Sequence, residues 1–330
     1  DTAAGTVNII LTTTGNGLCL PVSDTMTLVI TPAPNANAGP DQVKCSNNAA
    51  VTLAGSVINA SGGVWSKSGT GTFADSSVLT TTYTPSAADT AAGTVTLTLT
   101  TTGIGQCKVV SDFMLVTLTD APTSNAAADQ TVCANNPNVV MAGSITVASG
   151  GIWSTTGTGT FNIPSSLSAT YSPSPADTTA GSVALILTTT GNGSCAAMTD
   201  TMIVTINPGI YVDAGSDQTV CANNPNAGLA GLVSGFTTST GGWTTGGTGT
   251  FADSSVLTTT YSPSPADTVA GSVTLTLTST GNGLCIAVKD SLAIIVIPSI
   301  NVNAGSDITV CANNSTTNLN GSVSGATGGF

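Results

Sequence analysis

Eight cysteines and sixteen acidic residues are the parts of this 330-residue chain that could do chemistry. Cysteine offers disulfides, soft-metal ligation or a nucleophilic thiolate, and a carboxylate offers acid–base work, calcium ligation or turn capping. The absences narrow that list. Histidine is missing, all four cations are lysines, and every acidic residue is an aspartate, so Arg and Glu are missing too. No imidazole can activate a serine, threonine or cysteine nucleophile, and no guanidinium can clamp a phosphate. Zinc fits poorly, because there is no His and no Cys-x-x-Cys pair. Paired-carboxylate glycosidase chemistry needs a cleft and a raised pKa, neither of which a small repeated unit offers. Lys44, Lys67, Lys108 and Lys289 are dispersed, and the net charge is −12, which makes nucleic acid a poor partner. The chain is read as a non-enzyme, with no catalytic, cofactor-binding or metal residue assigned.

The spacing of these residues is regular. Cys45, Cys133, Cys221 and Cys311 recur at steps of 88, 88 and 90 residues, and so do Cys19, Cys107, Cys195 and Cys285. Trp65, Trp153 and Trp243 keep the same period, as do Tyr83, Tyr171 and Tyr261 and Phe73, Phe161 and Phe251. The chain is therefore a tandem repeat. Three full repeats are read at 34–121, 122–209 and 210–299. Residues 1–33 match the tail of a repeat and residues 300–330 the head of one, and the two pieces together lack a counterpart of 65–88. The expectation is a stretch of a longer array.

Elements follow from composition and pattern. Charged residues are 6% and aromatics 4%, while Thr, Val, Ser and Gly abound, which favours half-buried pleated strands. Alternation marks strands at 51–57, 95–99 and 113–118, with shorter ones at 64–65 and 80–83. Gly-Asn-Gly at 15–17, 191–193 and 281–283 marks a hairpin turn between the last two strands. About seven short strands per 88 residues predict an all-β fold, a tandem array of Ig-like β-sandwiches with the Trp on the third strand in the core. One Trp per sandwich reads as core rather than as an exposed sugar platform. Prolines at 32, 34, 122, 208 and 298 stiffen the joints. No apolar run approaches the roughly 18 residues of a membrane span.

The cysteine frame argues for an oxidising compartment. Pairing inside each repeat gives Cys45–Cys107, Cys133–Cys195 and Cys221–Cys285. Pairing across each junction gives Cys19–Cys45, Cys107–Cys133, Cys195–Cys221 and Cys285–Cys311. A plain Ig strand order puts the two cysteines of one repeat at opposite ends, which counts against the first set. The aspartates before the first strand (Asp41, Asp129, Asp217 and Asp307, with Asp213 beside them) allow calcium at the repeat junctions, but most junctions offer one or two carboxylates, so turn capping is the plainer reading.

The ordered motifs Asn-Ala-Gly-x-Asp-Gln-x-x-Cys-x-Asn-Asn, Gly-Gly-x-Trp, Tyr-x-Pro-Ser, Asp-Thr-x-Ala-Gly and Thr-Thr-Gly-Asn-Gly-x-Cys resemble the Ig-like/PKD-like repeats of giant secreted surface proteins of Bacteroidota. That resemblance implies extracellular, cell-surface-attached placement through type IX secretion. It implies a structural or adhesive role, the repeat shaft of a filament or appendage presenting a distal binding tip. The rival is a multivalent carbohydrate-binding module. The resemblance favours one staple per domain, hence Cys45–Cys107, Cys133–Cys195 and Cys221–Cys285. It also resembles the family's O-glycosylation signal where Asp precedes Thr or Ser, with acceptors at Thr2, Thr25, Thr90, Thr178, Thr201, Thr268 and Ser291; the competing reading is an Asp ending a loop. The expected partner is the chain itself. Neutral, Thr-rich faces repeated every 88 residues predict a lateral bundle of parallel copies.

Overall fold

A computed structural model describes residues 5–235, 240–327 and 329–330. The N-terminal piece is one hairpin, β1 (Thr6–Thr12) against β2 (Ser23–Val29). The repeat at 34–121 then runs β3 (Asn35–Asn37), β4 (Gln42–Cys45), β5 (Val51–Ala54), β6 (Ser56–Ile58), β7 (Gly62–Lys67), β8 (Thr72–Phe73), β9 (Thr80–Thr84), α1 (Ala87–Ala92), β10 (Thr94–Thr102) and β11 (Ser111–Thr119).

One sheet has the order β4-β11-β10-β7, and the opposing layer is built from β5-β9-β8 together with the pair β3–β6. β4 runs parallel to β11, with Cys45 level with Thr119. Every other neighbouring pair is antiparallel. This is the Ig-like sandwich, its first strand split between the two sheets. The repeats at 122–209 and 210–299 reproduce the orders of both layers.

Alternation makes the core. Along β10, Val95, Leu97 and Leu99 point inward while Thr94 and Thr102 face solvent. They meet Leu53, Trp65, Tyr83, Met114 and Val116 from the other strands. Trp65, Trp153 and Trp243 are each 3% exposed, so no tryptophan forms a surface platform. Gly55 separates β5 from β6, and a Cβ there would press into Leu99 and Trp65. The Gly-Asn-Gly turns fall between the last two strands, with Gly191 and Gly193 at positive φ.

A helix joins the two sheets where the sequence reading placed none. Ser86, Ser174 and Ser264 each cap a six-residue helix, and Asp89, Asp177 and Asp267 complete a reciprocal capping box. A glycine in the left-handed conformation ends each helix, at Gly93, Gly181 and Gly271.

Candidate functional site at the joints between repeats

The strand order fixes where each cysteine lies. Cys45 ends β4 beside the C-terminal end of β11, next to the joint that follows its repeat. Cys107, Cys195 and Cys285 sit in the turn that precedes the last strand, at the N-terminal end of their repeats. The first cysteine of one repeat therefore meets the second cysteine of the next. Cys45 is bonded to Cys195 and Cys133 to Cys285, with Cα–Cα distances of 4.9 and 5.1 Å.

This corrects the expected Cys45–Cys107, Cys133–Cys195 and Cys221–Cys285 pairings, and equally the pairings across each junction. Two cysteines at opposite ends of one sandwich cannot come within bonding range. The junction alternative is worse, because it asks a cysteine at the N-terminal end of one repeat to reach one near the C-terminal end of the next. Cys19, Cys107, Cys221 and Cys311 are unbridged.

The joint is built the same way twice. The carbonyl oxygen of Asp120 lies 3.6 Å from Cys45 Sγ and 3.6 Å from Cys195 Sγ. Pro208 O stands in the same relation to Cys133 and Cys285, at 3.8 and 4.0 Å. Two unbridged cysteines occupy matching half-joints: Cys107 Sγ is 3.9 Å from Pro32 O, and Cys221 Sγ is 3.8 Å from Pro298 O.

The first Asn of Cys-x-Asn-Asn also crosses the joint. Asn47 Nδ2 donates to Ala196 O at 3.0 Å, and Ala196 N donates to Asn47 Oδ1 at 3.1 Å. Asn135 Nδ2 donates to Ile286 O at 3.2 Å. The second Asn closes the turn, with Asn48 N donating to Cys45 O. Recurrence at a fixed offset from the cysteine was the signal in the sequence for this role.

The aspartates have structural partners. Asp41, Asp129 and Asp217 each accept a backbone N–H from the last strand of their repeat, at Leu115, Ile203 and Ala293. Asp213 accepts from Gly215 N two residues on, closing a turn. Among the described residues no three His, Cys, Asp or Glu side chains group as metal ligands.

The buried aspartates are strongly perturbed. Asp177 Oδ2 accepts from Tyr171 Oη at 2.7 Å, Gly159 N at 2.8 Å and Ser174 N at 2.9 Å, while Oδ1 accepts from Thr158 N at 2.9 Å. Burial alone would raise its pKa, but these four donors overcome that and hold it at about 2. Asp267 is held at about 2 in the same way, and Asp89 lies further below the ordinary carboxylate range. The partner phenols of Tyr83, Tyr171 and Tyr261 are pushed up, by burial first. A carboxylate locked as an anion by four donors is a structural pin and has no proton to give as a general acid.

The proposed acceptors divide into two settings. Thr25, Thr201 and Ser291 face solvent on the last strand of a repeat. Thr90, Thr178 and Thr268 lie on the short helices, half-buried, and their hydroxyls donate to the carbonyls of Ser86, Ser174 and Ser264. Thr2 lies outside the described residues.

No protein-family model matches the chain, and no curated protein matches it in sequence. Among solved structures, mouse cadherin-23 EC22-24 matches at 14% identity over 81% of this chain and 99% of that one, with a TM-score of 0.34. The I-band fragment I67-I69 from titin matches at 11% identity over 81% and 99%, TM-score 0.43. Drosophila N-cadherin EC1-4 matches at 11% over 89% and 84%, TM-score 0.30. The strand order and the joints define the class: an all-β tandem array of Ig-like sandwiches, bridged covalently from repeat to repeat.

Proposed function

We propose that the chain is part of the shaft of a giant extracellular filament or appendage of the Bacteroidota surface type, exported by type IX secretion and presenting a distal binding tip. The observation that carries this reading is the doubled joint. Each pair of neighbouring full repeats is held by a proline-containing peptide link and by a disulfide, with side-chain hydrogen bonds beside them. A rigid, oxidised array projects; a recognition module has no need of covalent joints. The carbohydrate-binding alternative is disfavoured by the burial of Trp65, Trp153 and Trp243.

In this reading the solvent-facing hydroxyls of Thr25, Thr201 and Ser291 carry the glycans. Copies of the chain pack side by side through their neutral Thr-rich faces. Immunogold labelling of intact cells with an antibody to the repeat, together with a glycan array probed with the 330-residue chain, tests it. Label along surface appendages with no glycan binding is expected. Label confined to the cytoplasm, or clear glycan binding by the repeats, overturns it.

A further inference from the structure

We propose that the inter-repeat disulfides take the body of each repeat off the path of tension, so that the array is an inextensible tether even when a sandwich opens. The inference deepens the shaft reading and rests on it for its biological meaning, although the mechanics follow from connectivity alone.

Consider the middle repeat unfolding while its neighbours stay folded. Tension enters from the first repeat through the peptide link at Ala121 or through Cys45–Cys195. It leaves to the third repeat through the peptide link at Asn207–Pro208 or through Cys133–Cys285. One covalent route runs from residue 122 to Cys133 and across the bridge, about 12 residues or roughly 40 Å when fully extended. The other runs from Cys195 to residue 209, about 15 residues or roughly 50 Å. The folded sandwich is already of that order, since its nine-residue strands at about 3.4 Å per residue span roughly 30 Å. Residues 134–194 hang outside both routes. An unbridged repeat of 88 residues would instead reach roughly 300 Å.

The outer full repeats are protected too, each by one bridge. In the first repeat the short route is residue 34 to Cys45, and in the third it is Cys285 to residue 299. The middle repeat has two short routes and each outer one has a single route. Mechanical work done by a pull on opening a fold scales with the length released, so a repeat that lengthens by about 10 Å rather than by more than roughly 200 Å is far less destabilised by load. The rate of forced unfolding then stays close to its unloaded value.

Single-molecule pulling on the 330-residue chain from residues 1 and 330 tests this. The oxidised chain is expected to give no lengthening step near 250 Å, and the chain reduced with a phosphine to give three. Two variants make the assignment specific. Cys133→Ser with Cys285→Ser is expected to give one long step, from the third repeat alone, because the middle repeat keeps its route through Cys195. Cys45→Ser with Cys195→Ser is expected to give one long step from the first repeat alone. Long steps from the oxidised chain overturn the proposal, as does the absence of long steps from both the reduced chain and the variants, because strength would then reside in the sandwiches. Either failure leaves the shaft reading to its own test on cells.

Discussion

At the scale of single residues, the buried aspartates link stability to acidity. An ordinary aspartate in an unfolded chain titrates near 3.9, whereas Asp177 and Asp267 titrate at about 2 in the fold. The folded-state value lies below the unfolded one, so the stabilisation is complete above about pH 5 and drains away as pH falls from there through about 2. Denaturant unfolding at pH 7, 5.5 and 2.5 should show a level midpoint between the first two and a fall at the third. An unchanged midpoint at pH 2.5 would remove these carboxylates from the account. Asp177→Asn should destabilise the middle repeat by about 2 kcal/mol at neutral pH, because the amide turns one acceptor into a donor facing donors. The same substitution should flatten the acid dependence of that repeat.

At the scale of elements, the turn after the Trp strand and the short helix form one unit. Gly157, Thr158 and Gly159 wrap the Asp177 carboxylate that also caps the helix. A methyl group on Gly159 would run into the Ser172 carbonyl oxygen and the Tyr171 hydroxyl. Gly159→Ala is therefore expected to cost about 2 kcal/mol through overpacking, and Ser174→Ala about 1 kcal/mol through loss of the cap. Thermal unfolding of the two variants checks the order; a Gly159→Ala protein as stable as the parent would mean the turn relaxes freely. The capping box was legible as Ser-x-x-Asp in every repeat. Its Asp-Thr pair also matches a glycosylation signal, and strand propensity dominates the surrounding residues, so the helix was hidden by a second plausible meaning of the same letters.

At the scale of the whole molecule, the joints carry the prediction. A non-reducing peptide map should return Cys45–Cys195 and Cys133–Cys285 and no bridge within a repeat. Closing loops of 150 and 152 residues stabilises the array by about 5 kcal/mol each in the chain-entropy picture, shared between the repeats they join. Small-angle scattering should show the maximum dimension falling on reduction as the joints begin to bend, since only the proline links and the Asn contacts remain. A rod of unchanged length after reduction would place the stiffness in the peptide links.

The sequence by itself determined the period, the sandwich, the hairpin before the last strand and the buried Trp, because each is written in local alternation, turn chemistry and recurrence. It also held the observation that the two cysteines of a repeat sit at opposite ends. The partner of each cysteine was decided only by tertiary structure. In a strict repeat, pairing within a unit, across a junction or into the next unit gives an equally constant spacing, so spacing cannot choose among them. The choice falls to which ends of neighbouring sandwiches face each other. That is set by the parallel pairing of β4 with β11, a contact between residues about 74 apart that no local pattern records.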